Sequence, residues 1–343
     1  MNNEKEIQII ERRSVSTILS DIFRNDNIQI SKEDLNKEVE VKKLFFRGES
    51  RFYQTRTPSL YRENDLVQNG SEYYYRTLIN ELGRDDYEKS TSLVRLFSEL
   101  QHYGAKTRML DITKSPLIAL YFAVESDDNN PGYLFIYQIS PETEKFDTGH
   151  TIAIKCALNL MHPQVINNFF EVCEKIKNIR PDLKDESLDN ILKQFKGNTE
   201  IENGITQFME LLNQRARVRE TLKYPIKIYD DLNKGHIFLP AKATDRIRQQ
   251  QGAFIYPKYV NTKNKNYKKI LEEIDESIDE FRAVLETEIY NKKSKNKRRV
   301  QFSCIKIHAG YKKIIRNQLR QLGITPAFIY SDIHHQSYTL LNK

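Results

Sequence analysis

An α+β fold, a mixed sheet interrupted by a helical insertion, is what this sequence of 343 residues predicts. Three observations carry that expectation. Short runs rich in aromatic and β-branched residues occur in both halves of the chain, and helix-spaced segments separate them. Between the halves, residues 160–222 hold long charged stretches with Leu, Ile and Phe at helical spacing and no strand character.

The elements follow in order. Ile9, Ile10, Val15, Ile18, Leu19 and Ile22 recur at three- and four-residue steps, which predicts an amphipathic helix over residues 8–24 packed on the main domain. Val39 to Phe46 alternates and then turns fully apolar, as a strand entering a core does, and Gly48 permits a sharp exit. Arg47 is thereby placed at a strand edge, with the proline-stiffened loop Thr57 to Arg62 over it. Tyr74, Leu78, Leu82, Leu93, Leu96, Phe97 and Leu100 predict two helices within residues 71–102. Thr107 to Thr113 is a short element, and Ser115-Pro116 caps and opens a helix through Ala123. Asp127 to Gly132 is a turn, and Tyr133 to Ile139 a buried strand.

Beyond the insertion, His236 to Pro240 and Gly252 to Pro257 predict strands bracketing the polar segment Arg246 to Gln251. A helix is expected at about 267–290, a strand at Val300 to Ile307, a helix from Lys312 to Leu322 ending at Gly323, and an edge strand at Ala327 to Tyr330. This divides the chain into an N-terminal helical extension (1–40), a first core half (41–150), the insertion (151–235) and a second core half with a basic C-terminal region (236–343). No internal repeat is present.

Composition narrows the class. Hydrophobic residues make up 39% and charged residues 29%, which fits a soluble globular protein, and no apolar run nears the roughly 20 residues of a membrane span. Met1 to Glu6 lacks the apolar core of a secretory signal, so the expected location is cytoplasmic. Cys156, Cys173 and Cys304 are odd in number and lack metal-ligand spacing, so they read as core thiols and no metal is expected. Net charge is +7, and it clusters: Lys292, Lys293, Lys295, Lys297, Arg298 and Arg299 form an acid-free run, either a nucleic-acid contact or a solvated loop.

Two stretches concentrate polar groups beside apolar ones, Leu44 to Glu49 and Leu100 to Thr113. Arg47 beside Gly48 suits an anionic ligand, because guanidinium grips phosphate in a fork and glycine lets backbone approach; pairing with Asp111 is the structural alternative. His102 is a candidate base or ribose donor, and Tyr103 a surface on which a flat ring can stack. Thr107, Arg108, Asp111 and Thr113 place four hydrogen-bonding groups within seven residues, each needing a partner, either in a site or in a strand-ending network. Asp111 can orient a nucleophile, stabilise a cationic transition state or neutralise Arg47 or Arg108. Of Gln249, Gln250 and Gln251 one is expected to face the site, and Gln251 is assigned to it. The P-loop, GxGxxG, HExxH and GxSxG patterns are absent, and His334-His335 reads as surface structure.

In Phe46-Arg47-Gly48 and the blocks after it the chain resembles the FRG-domain family. Those blocks are Thr57 to Arg62, Gln101 to Thr113 with Pro116 to Ala123, Arg246-Ile247 with Gln249 to Phe254, and Leu319 to Ile324. The order is also similar to ADP-ribosyltransferases of the Arg-Ser-Glu type, with Arg47, Thr113 and Tyr121 matching by position. That resemblance implies a split-sheet core like the ADP-ribosyltransferase fold and NAD as substrate. Arg47 would hold the pyrophosphate, with Gly48, Tyr103, Arg108, Thr113 and Tyr121 also contacting NAD. His102 and Tyr103 would position ribose and nicotinamide. The late-strand catalytic Glu of that class is replaced by Gln249-Gln250-Gln251-Gly252, so Asp111, Gln251 or a remote Glu would have to serve. The implied activity is an ADP-ribosyltransferase toxin in anti-phage defence, modifying nucleic acid (RNA favoured over DNA) and restrained by an antitoxin. A non-catalytic nucleotide or nucleic-acid-binding module and a metal-dependent nuclease are the alternatives.

Overall fold

A computed structural model describes residues 7–24, 43–83, 92–140, 143–146, 149–241, 245–291 and 296–330. His334-His335, Lys292, Lys293 and Lys295 lie outside the described residues, as do Val39 to Val41 and the side chain of His102. The chain is a mixed α+β structure. In order, its elements are β1 (Gln8–Arg12), α1 (Val15–Ile22), β2 (Leu44–Glu49), α2 (Asn64–Gln68), α3 (Glu72–Leu82), α4 (Leu93–His102), β3 (Leu110–Thr113), α5 (Pro116–Val124), β4 (Gly132–Gln138) and β5 (Glu144–Phe146). The insertion supplies α6 (His150–Ala157), α7 (Pro163–Ile179), α8 (Leu188–Gln194), α9 (Thr199–Arg215) and α10 (Pro225–Leu232). Then come β6 (His236–Leu239), α11 (Asp245–Gln249), β7 (Gly252–Tyr256), α12 (Tyr267–Asp279), β8 (Leu285–Asn291), β9 (Asn296–Ile307), α13 (Lys312–Gln321) and α14 (Pro326–Ile329). Among the described residues no helix is long and apolar enough to cross a membrane.

The strands form one sheet in the order β1-β9-β4-β2-β3-β7-β6-β5, with β8 also paired to β9. The β1–β9 and β5–β6 pairs are parallel and the others antiparallel. Strand alternation sends Phe45 to one face, with Phe135, Tyr137 and the helices of the insertion, and Phe46 to the other, with Leu134, Ile136, Ile305 and the residues of α1, α5 and α13. Inside the first layer α7 and α9 lock through Phe169 and Phe208, whose rings stack at 3.8 Å. The insertion therefore shares one core with the sheet.

The central pair β2–β3 is where the sheet opens. β2 is zipped to β4 over six residue pairs, Leu44↔Gln138 through Glu49↔Tyr133, but to β3 by the single pair Phe46↔Thr113. Helix α5 lies directly over β2. It is capped by Ser115, whose side chain accepts from Ile118 N–H, starts at Pro116, and buries Ile118, Ala119, Leu120, Tyr121, Ala123 and Val124. Each fully buried Leu, Ile or Val contributes about 1.5–3 kcal/mol, enough to hold the helix on the strand.

Several local expectations are corrected. Residues 8–12 form an edge strand on β9, and helix begins only at Val15; the isoleucines at 9 and 10 sit on opposite faces of that strand, Ile10 buried and Ile9 exposed. β2 runs on through Arg47 and Gly48 to Glu49, so Arg47 is inside a central strand rather than at its edge. The glycine is required by a close approach: a Cβ on Gly48 would stand 1.7 Å from the Ala119 carbonyl oxygen. Residues 285–291 are strand β8 where helix was expected, since Leu285 and Thr287 point inward at a two-residue period. Residues 326–329 are a short helix, capped by Thr325 and opened by Pro326, where an edge strand was expected. The basic run is in part strand: Lys297, Arg298 and Arg299 lie in β9 opposite Tyr290, Ile289 and Glu288. The three cysteines are free and buried.

Candidate active site

Where β2 and β3 part, a cavity of about 320 Å³ opens, at the lower end of the range for small-molecule sites, roughly 300–1,000 Å³. Phe46 to Glu49 form one wall and Asp111 to Thr113 the opposite one, while Gln250 and Gly252 to Phe254 close it from far along the chain. The two polar stretches singled out in the sequence thus face each other across the split. Ser98 and Gln101, three residues apart on one face of α4, reach in from one layer, and Phe122 and Glu125 from α5 and its end reach in from the other.

Arg47 spans the gap. Its Nη1 donates to the Asp111 main-chain oxygen at 2.8 Å, replacing a ladder bond that the diverging strands no longer make, and its Nε donates to Glu49 Oε1 at 3.0 Å. Arg47, Glu49 and Phe45 share one face of β2 because they are two residues apart. Burial, the largest influence on Arg47, lowers its pKa, but Glu49, Tyr137 and Asp111 together outweigh it and the net shift is upward. The guanidinium stays charged, and half of the structural alternative, an Arg47–Asp111 contact, is realised through the backbone.

Glu49 is the group that sequence reasoning missed. Only 3% exposed, it has one oxygen on Arg47 while the other, Oε2, is buried without a hydrogen-bond partner. An unpaired buried polar atom costs about 1–3 kcal/mol, more when charged, and such a cost is tolerated where a site uses it. Tyr137, on the same face, also has a buried hydroxyl without a partner, and its pKa is driven up by burial. The signal was in the sequence: the alternation Phe45, Arg47, Glu49 continues past the apolar run and sets a carboxylate beside the arginine.

The third wall is held by Thr113. Its Oγ1 donates to the Gln250 carbonyl at 2.7 Å and accepts from Ser115 N–H at 3.0 Å, tying the Gln250 turn to β3 and to the start of α5. Gln250 lines the cavity and its Nε2 donates to the Ile329 carbonyl at 3.2 Å. Gln251 is exposed, turns the chain at φ 47°, and is not among the lining residues, so the glutamine facing the site is its neighbour.

Other expected site residues lie elsewhere. Arg108 is buried in the helical layer, its Nε on Asn159 Oδ1 at 2.9 Å and its guanidinium over the Tyr61 ring at 5.6 Å, because it lies ahead of β3, where the chain still runs against that layer. Tyr103 caps the end of α4 and is 73% exposed, with no part in the cavity wall. Tyr121 faces a second groove, of about 800 Å³, with Arg316, Arg320 and Tyr330; its helix neighbour Phe122 is the aromatic that enters the split. His102 ends α4, and its side chain lies outside the described residues. Among the described residues no group of three or more His, Cys, Asp or Glu is arranged to hold a metal ion.

Lys297, Arg298 and Arg299 are exposed but distant. Arg47 aligns through Phe135 with Cys304 of β9, and Arg298 lies six residues further along that strand, roughly 20 Å away at about 3.3 Å per residue.

Residues 42–131, which contain β2, α2 to α5 and both main walls of the cavity, match the FRG domain. No curated protein and no solved structure matches the chain.

Proposed function

We propose that the split in the sheet binds NAD and that the protein is an ADP-ribosyltransferase whose carboxylate is Glu49. The observation that carries the reading is the Arg47–Glu49 pair, a buried carboxylate held by a guanidinium on one wall of a cavity, with one oxygen uncommitted. A fixed anion of this kind stabilises positive charge that develops on a sugar as its leaving group departs. In the step proposed, the bond between ribose C1′ and the nicotinamide nitrogen breaks, and its electron pair leaves with nicotinamide. Glu49 stabilises the cationic ribose. A nucleophile of the acceptor then bonds to C1′ and gives its proton to Asp111 on the facing wall. Phe46, Phe122, Phe254, Ile112 and Ile247 line the cavity and suit a flat ring. Glu49 takes over the role expected of Asp111 or Gln251, and the resemblance to the ADP-ribosyltransferase fold is supported by the split itself, with an arginine on one lip and Thr113 on the other.

A nucleic acid, RNA in preference to DNA, is the acceptor we favour, supported by the exposed Lys297, Arg298 and Arg299 on β9. At roughly 20 Å from the cavity they would hold the strand's backbone away from the reacting atom. A toxin restrained by an antitoxin in anti-phage defence is the setting this activity fits. The test is to incubate purified protein with NAD labelled in the adenylate and with RNA, DNA or cell extract, alongside Glu49→Gln. Label moves to an acceptor with the parent protein and not with the variant. Binding of NAD without release of nicotinamide would instead favour a binding module.

A further inference from the structure

Two arginines line the cavity, and they are engaged differently. Arg47 commits Nε to Glu49 and Nη1 to the Asp111 carbonyl, and its side chain is 18% exposed. Arg62 ends the 3₁₀ turn Ser59–Arg62 at the cavity's rim, is exposed, and uses only Nε, on the Thr57 carbonyl at 3.2 Å. Burial and then the neighbouring charge of Arg47 lower the pKa of Arg62; the charge of Glu49 raises it, but the hydrogen bond of that carboxylate goes to Arg47. Two like charges are thus held near each other and only one is neutralised at contact. The Tyr53 ring, also in the wall, stands 6.0 Å from the Arg62 guanidinium.

A second group points to the same kind of ligand. Ser98 on α4 is 5% exposed, lines the cavity, and its Oγ has no hydrogen-bond partner. Gln101, one turn on, is already occupied, accepting from the Thr107 hydroxyl. A guanidinium that commits only its Nε and an unpartnered hydroxyl donor in one cavity are complementary to an anion with several acceptor oxygens.

We propose that Arg62 and Ser98 form the anion subsite of this cavity, where the diphosphate of a dinucleotide is held, and that Arg47 is a positioning residue that fixes Glu49 and bridges to β3. The arginine of the Phe-Arg-Gly motif thereby moves from ligand contact to site architecture. The diphosphate identity rests on the NAD reading; the anion subsite does not.

The two are separated by titrating the parent protein, Arg62→Gln, Ser98→Ala and Arg47→Gln with inorganic pyrophosphate, ADP-ribose and adenosine by calorimetry, and by recording each melting temperature. Parent protein binds pyrophosphate and ADP-ribose. Arg62→Gln weakens both by about tenfold or more, the loss of a charge-assisted hydrogen bond, and melts as the parent does. Ser98→Ala weakens both to a lesser degree, while Arg47→Gln lowers the melting temperature. Pyrophosphate bound in an Arg62-dependent way without ADP-ribose would retain the anion subsite and sink the NAD reading. Pyrophosphate bound equally by the parent and Arg62→Gln, or by neither, overturns the subsite.

Discussion

Replacing Gly48 by alanine tests how the cavity is built. The added Cβ would lie 1.7 Å from Ala119 O, 2.7 Å from Ala123 N and 2.8 Å from Ala119 C, all of them backbone atoms of α5 with no rotamer to yield. Restoring even a tight 3.0 Å contact to the carbonyl requires the helix and strand to separate by about 1.3 Å. Overpacking of this kind costs about 1–3 kcal/mol and occasionally more; because the clash is with backbone, about 3 kcal/mol is expected. At about 2.1 cal/mol/K of unfolding entropy per residue, a chain of 343 residues shifts by roughly 1.4 °C per kcal/mol, so the melting temperature falls by about 4 °C. On the proposed function, misplacing Arg47 and Glu49 by about 1 Å is expected to lower NAD turnover by on the order of a hundredfold as well. Thermal unfolding followed by circular dichroism reads the first effect. Gly252→Ala is the control, since a Cβ there meets only Ile247 at 3.8 Å, and it should change stability by no more than about 0.5 kcal/mol. If Gly48→Ala melts with the parent protein, α5 does not press on β2 as described.

Two further outcomes follow from other parts of the molecule. His236 is 3% exposed, and burial, aided by the charges of Lys155, Lys145 and Lys234, lowers its pKa from 6.5 to about 3. The unfolded chain therefore takes up a proton below about pH 6.5 that the folded protein refuses until about pH 3. The contribution is fully present above pH 6.5 and is lost as pH falls, by about 2 kcal/mol at pH 5. Urea unfolding at pH 7 and pH 5 should show that loss, and His236→Gln should remove most of the difference; an equal loss in the variant would exclude His236 as its source. On β9, the triple variant Lys297→Ala, Arg298→Ala, Arg299→Ala should lower the slope of log affinity for single-stranded RNA against log salt by roughly 2, at about 0.7 per phosphate contact. An unchanged slope would show that the strand takes no part in binding nucleic acid.

Legibility in the sequence followed the range of the forces involved. Ser115-Pro116 marked the start of α5 because a cap and a first-turn proline act within four residues. The same kind of signal, Thr325-Pro326, was present at the start of α14 and was outweighed by the aromatic and β-branched run that follows it. Residues 8–12 and 285–291 owe their extended form to pairing with β9, which for the first of them lies about 300 residues away and leaves no local trace. In the site, Arg47, Gly48, Asp111 and Thr113 could be named because polar groups beside apolar strands need a reason to be there. Glu49 follows Gly48, where the sequence predicts a sharp exit from the strand. Only the length of β2 reveals that its side chain faces inward with Arg47. Arg108 had the same sequence signature as the site residues and yet went to the helical layer, since which side of the split a side chain enters depends on where the strand begins and on its register.

The role of Glu49 is decided by nicotinamide released from NAD by the parent protein and by Glu49→Gln, with melting temperatures recorded for both. Gln keeps the size of Glu49 and an oxygen for Arg47 Nε, so the pocket is retained while the negative charge is removed. Nicotinamide release by the parent protein and a fall of at least about a hundredfold in the variant are expected, the scale of losing one electrostatic stabiliser of a transition state. Equal release by two equally folded proteins would show that Glu49 is not the carboxylate of the reaction.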